Sequence, residues 1–185
     1  MDLGRVALRG IVGPLFIGHG TQKLFGWFGG HGPDATGNAF ESMGLRPGKR
    51  HATAAGVAET AGGALLTLGA LTPIASAVVS GAMITAIRKV HGKNGPWVTG
   101  GGYEYNLALI GIATALTEAG PGRPSVDAAL LPRFKGNGLA LLQLAAAGLG
   151  SYLATTRFTD EEPVPSEQSR RFVREPAEET APQTV

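Results

Sequence analysis

Residues Gly18–Pro33 read GHGTQKLFGWFGGHGP, directly after the apolar run IVGPLFIG at 11–18. The run is fit for lipid, yet His19, Gln22 and Lys23 arrive before the chain breaks at glycines. Extended back to Leu3 and on to Phe25, the segment reaches the roughly 20 mostly apolar residues that a membrane-spanning helix needs. At about 100° per residue, Arg5, Arg9, His19 and Lys23 fall within an arc of about 80°, with Phe16 on the same arc. A cation facing lipid at depth costs a few kcal/mol, so this stripe is expected to face protein. A cleaved signal peptide would use Arg5 and Arg9 as its basic start, but no small-x-small site precedes the polar residues.

Working outward, four further apolar stretches appear: near Ala52–Leu71, Pro73–Val90, Glu104–Ala119 and Asn137–Ala154. None alternates an apolar stripe with a charged face, as a helix of a water-soluble domain would. Small residues recur every four positions at Ala77, Gly81 and Thr85, and again at Ala146, Gly150 and Ala154. Such spacing predicts close helix approach in a membrane. The expected fold is an all-α polytopic transmembrane bundle over residues 1–156, four core helices plus a fifth. The tail 157–185 has seven acids, four bases and several prolines, and is expected to be disordered. A net charge of +2 argues against nucleic-acid binding. With no cysteine, disulfides, thiolate metal sites and thiol nucleophiles are excluded.

Antiparallel helix order gathers polar residues on one membrane side. His19 and Lys23 end the first helix there, and Glu59 sits about two turns inside the second. Arg88, Lys89 and His91 end the third, and Tyr103, Glu104 and Asn106 begin the fourth. A carboxylate at the depth of Glu59 needs a partner or a proton. Lys23 or His19 is the natural partner, with Arg88–Glu104 as a second pair. Such pairs either fix helix register alone or serve a ligand or proton site. The candidates are Arg9, His19, Lys23, Glu59, Arg88, His91, Glu104 and Asn106. Basic residues are in slight excess on this side, which points it toward the cytoplasm.

Other motifs carry less. GWFGGHG and VTGGGYE lack phosphate-loop spacing, and no HxxxH or HExxH pattern supports a metal or haem, so no metal is expected. Trp27, Trp97, Tyr103 and Tyr105 fit an interfacial aromatic belt. NAFESMGL fits a short amphipathic surface helix.

An arginine in the first helix, then GTQKLFGWFGG, AETAGGALLTLGALTPIASA, KVHGKNGPW with GGYEYNLALIG, and GPGRPSVD, together resemble the DoxX family of small bacterial membrane proteins. The resemblance runs from about Gly4 to Asp127. It implies a four-helix bundle in the bacterial cytoplasmic membrane, to which the fifth segment and tail are additions. The family's polar signature falls on Arg9, Lys23, Glu59, His91 and Glu104, with Ser125 and Asp127 beyond the fourth helix. Relatives have been linked to thiosulfate–quinone oxidoreduction and to assemblies with superoxide dismutase and a sulfurtransferase, in defence against oxidative stress. Those relatives that act through cysteine pairs are no guide to a chain without cysteine. The implied function is a redox-associated membrane subunit that binds a quinone or small apolar ligand, or anchors soluble redox enzymes, with oligomerisation open. The competing function is a small proton-coupled transporter or channel.

Overall fold

The structure, a computed structural model, describes residues 2–157; the tail expected to be disordered lies otherwise outside the described residues. Seven α-helices follow one another: α1 Leu3–Phe25, α2 Gly32–Ser42, α3 Gly48–Leu68, α4 Thr72–Ala86, α5 Glu104–Ala119, α6 Val126–Leu130 and α7 Asn137–Thr156. No strand occurs among the described residues. A π-helical turn, Ile87–His91, continues α4. The chain is thus an all-α bundle, with α1, α3, α4, α5 and α7 as its long elements and α2 packed on α3.

Charged and amide side chains are buried beside an apolar core, and many large apolar side chains face outward. Arg9, Glu59, Asn106, Asp127 and Gln143 are buried, while Leu3, Ile11, Leu15, Leu107, Leu141 and Leu149 stand exposed. Water would reverse that distribution; a hydrocarbon solvent permits it, because apolar surface there has nothing to escape from. By length and hydropathy, two stretches qualify as membrane spans, Thr72–Asn94 and Asn137–Thr156. The sequence predicts five. The other three long helices differ for plain reasons: α1 includes Arg5, Arg9 and Lys23, α3 includes Lys49, Arg50 and Glu59, and α5 has 16 residues.

The most extensive helix packing joins α1 to α3, and it is close. A Cβ on Gly20 would stand 2.6 Å from the Gly56 carbonyl oxygen, and one on Gly13 would stand 2.7 Å from that of Gly63. The spacing of seven on both helices keeps the glycines on one seam over two turns. The small residues on the third and last segments lie where α4 packs on α7. A Cβ on Gly81 would be in ordinary contact with the Ala147 backbone, and Thr85 Oγ1 lies 2.9 Å from Ser151 Oγ, while Gly150 has open space around it. The approach is looser than that of the α1–α3 glycines.

Helix ends are fixed by tertiary partners. Gly69 stops α3 in the left-handed region at φ 60°. Asp127, 2% exposed, accepts hydrogen bonds from the backbone N–H of Leu71 at 2.7 Å and Thr72 at 2.8 Å. A carboxylate so placed satisfies two unpaired donors at the positive end of α4. Gln143 of α7 donates to Ser76 O at 3.2 Å and Ser80 Oγ at 2.7 Å on α4, and its Oε1 accepts from Thr114 of α5 at 3.3 Å. One amide therefore sews the fifth long helix to two others. The apolar core beneath is formed by Val12, Phe16, Leu66, Val79, Leu109 and Leu116.

Candidate functional site

A cavity of about 710 Å³ opens between α1, α3, α4, α5 and α7 and runs from mid-bundle to the end where α1 and α4 finish. Its depth is apolar, with Val12, Phe16, Val78 and Leu109 on the wall. The small residues Ala77, Gly81, Ala146 and Gly150 also line it, beside the α4–α7 contact. Its polar end carries His19, Lys23, His51, Glu59, Lys89, His91 and Asn106.

The central feature is a charge pair across the first two long helices. Lys23 Nζ lies 2.6 Å from Glu59 Oε2 and also donates to His19 O at 3.3 Å. The Glu59 side chain is 10% exposed and that of Lys23 22%. Glu59 sits three residues beyond Gly56, and Lys23 three beyond Gly20, so the glycine contact brings the two backbones close enough for the pair to form. Buried, the two charges stabilise each other; facing a cavity, they are also open to exchange.

The neighbours are differently committed. His19 Nδ1 is 3.1 Å from Gln22 Oε1. His91 Nδ1 donates to Gly101 O at 2.7 Å, which holds the π turn against the loop before α5. In a neutral ring this leaves Nε2 as an acceptor. Asn106, 5% exposed, points its amide at the Met83 sulfur, 3.3 Å away. Five of the eight sequence candidates therefore line the cavity: His19, Lys23, Glu59, His91 and Asn106.

The other three do not. Arg88 and Glu104 form no ion pair with each other. The Arg88 Nη1 reaches Ser151 Oγ at 3.4 Å and the guanidinium lies 5.9 Å from the Tyr152 ring centre, so it joins α4 to α7. Glu104 Oε1 accepts from Val98 N at 2.8 Å and folds the loop onto the start of α5. Arg9 lies at the opposite end of the bundle. Its Nε donates to Pro121 O at 3.1 Å, and its two other nitrogens donate to Thr67 O and Pro124 O. It fastens α1 to the end of α3 and to the segment before α6. A second polar cluster therefore exists at that end, with Asp127 and the half-buried Asp2–Arg5 pair. On the one arc of α1, Arg9 is buried and Lys23 half-buried while His19 is exposed; the arc says nothing about depth, and depth separates Arg9 from Lys23.

His51, Lys89, Thr85 and Ser151 also reach the cavity wall. The signal for Lys89 was present in sequence: it stands four residues beyond Thr85, on the Ala77–Gly81–Thr85 row. Among the described residues no group of three His, Asp or Glu side chains is arranged to hold a metal ion.

Residues 4–92 match the model of the DoxX family. The match takes in α1 to α4 and the π turn; the later motifs near Tyr103 and Ser125 lie beyond it. No curated protein and no solved structure matches the chain.

Proposed function

We propose, for a chain that belongs to the DoxX family, a redox-associated subunit of the bacterial cytoplasmic membrane that holds a small apolar ligand with a polar head, of which a quinone is one type. The observation that carries this is the cavity, apolar in its depth and polar at one end, with a buried ion pair in its wall. Its volume of about 710 Å³ falls in the roughly 300–1,000 Å³ range of small-molecule sites. The chemistry at the polar end suits a carbonyl or hydroxyl headgroup. Lys23 and the Asn106 amide can donate to a carbonyl oxygen, and His91 Nε2 can accept from a hydroxyl. Glu59 and Lys23 can take up or release the proton that accompanies a change in the headgroup. In this reading the long helices cross the bilayer several times, and soluble partners such as a superoxide dismutase or sulfurtransferase dock on the polar side.

The test is extraction of the protein from native membrane in mild detergent, followed by mass spectrometry of the organic phase. About one lipophilic molecule per chain is expected, reduced by Asn106→Leu and by filling the cavity with Gly81→Leu. The pair's place on the cavity wall also favours proton-coupled transport. A clean organic phase together with proton or solute flux in liposomes that Glu59→Gln abolishes would select the transporter.

A further inference from the structure

We propose that the cavity mouth takes an anionic headgroup, and that the ligand is a single-chain amphiphile ending in a carboxylate held by Lys89. The proposal rests on the cavity being a ligand site and names the class of ligand.

The charges on the cavity wall do not balance. Its charged residues are Lys23, Lys89 and Glu59, joined by the titratable His19, His51, His91 and Tyr105. Glu59 is engaged by Lys23 at 2.6 Å. Lys89 is half-buried, and among the described residues no acceptor pairs with its ammonium. A half-buried ammonium on an apolar wall calls for a counter-charge, because leaving the group without one loses hydration and gains nothing in return.

Helix geometry puts Lys89 on that wall. Ala77, Gly81, Thr85 and Lys89 all line the cavity at steps of four residues. At about 100° per residue, Lys89 falls about 120° round from Ala77, between Val78 and Ala82, which line the cavity too. The π turn Ile87–His91 continues the lining to Val90 and His91, and the bond from His91 to Gly101 O holds the turn in place. Cations at the end of a helix also complement its dipole. Exposed Arg88 does that without lining the cavity.

The remaining shape selects the chain. A depth lined by Val12, Phe16, Val78 and Leu109 accepts hydrocarbon, and about 710 Å³ holds one chain and a small head rather than a two-chain lipid.

The test measures binding to the purified full-length protein in nanodiscs of zwitterionic lipid. The probes are dodecanoate, dodecanol, dodecyl phosphate and a neutral decyl-benzoquinone. Dodecanoate is expected to bind about ten-fold tighter than dodecanol, the size of one charge-assisted hydrogen bond. Lys89→Gln should remove that preference in the folded protein, while Lys89→Arg should keep it. Equal affinity for acid and alcohol, insensitive to Lys89→Gln, would overturn the anionic headgroup and leave the cavity as a neutral-ligand site, as would quinone binding tightest. Stronger binding of dodecyl phosphate than of dodecanoate would overturn the carboxylate. If none of the four probes bound, both this proposal and the ligand-site reading beneath it would fail.

Discussion

Glu59 Oε2 lies 2.6 Å from Lys23 Nζ, joining the second long helix to the first at the level where Gly20 and Gly56 bring the backbones together. Removing one partner should therefore cost more than removing both. Glu59→Ala should destabilise by about 3 kcal/mol, the lower edge for a buried pair, because Lys23 keeps some contact with solvent. Lys23→Met combined with Glu59→Leu should recover most of that loss. A double-mutant cycle on thermal unfolding in detergent checks the coupling; strictly additive single effects would contradict it.

Glycines on α1 should differ sharply in tolerance. Gly20→Ala places a methyl group 2.6 Å from Gly56 O and should destabilise by about 2–3 kcal/mol through forced helix separation. Gly18→Ala meets nothing within 4 Å. It should be neutral or gain up to about 1 kcal/mol from helix propensity. Melting temperatures of the two variants, side by side, decide the matter.

Arg9 holds three carbonyl oxygens at the end remote from the cavity. Lysine has no planar fork to reach them together. Arg9→Lys should lower stability by about 2 kcal/mol or more, through carbonyls left unpaired. Ligand affinity in the folded fraction should stay unchanged. A selective loss of affinity at full stability would place Arg9 in the functional site after all.

Asp127→Asn should cost about 1–3 kcal/mol, since one carboxamide oxygen cannot serve both Leu71 N and Thr72 N and its NH₂ would face a donor. Amide exchange at Thr72 should accelerate in the variant. Unchanged exchange would show that α4 is capped by other means.

Asp2 gives the clearest pH signature outside the spans. The hydrogen bond from Arg5, and then that from the Arg123 backbone N–H, hold its carboxyl below the ordinary value of 3.8. A depressed carboxylate contributes stability above its unfolded value and loses it as pH falls through the folded one. Wild type and Asp2→Asn should therefore differ slightly at neutral pH and converge below about pH 4. The carboxyl is partly open to solvent, so the difference should shrink in high salt. Melting curves across that range check it.

The sequence by itself determined the helical class, because apolar runs of spanning length with few charges admit little else. It also placed Lys23 on the side of Glu59, since helical angle and antiparallel order follow from residue numbers alone, whereas His19 on the same arc is exposed. Which small residues touch was decided only by tertiary structure. Gly13, Gly20, Gly56 and Gly63 make the close seam, while the more conspicuous row at Ala77, Gly81 and Thr85 meets α7 more loosely and also lines the cavity. Spacing fixes the face a residue occupies but not what stands opposite it. The same limit applies to Arg9, Arg88 and Glu104. Each is bound to backbone or hydroxyl groups more than a helix away or in a neighbouring loop, and no local pattern records such partners. Asp127 capping a helix that begins 55 residues earlier depends likewise on how the chain folds back on itself.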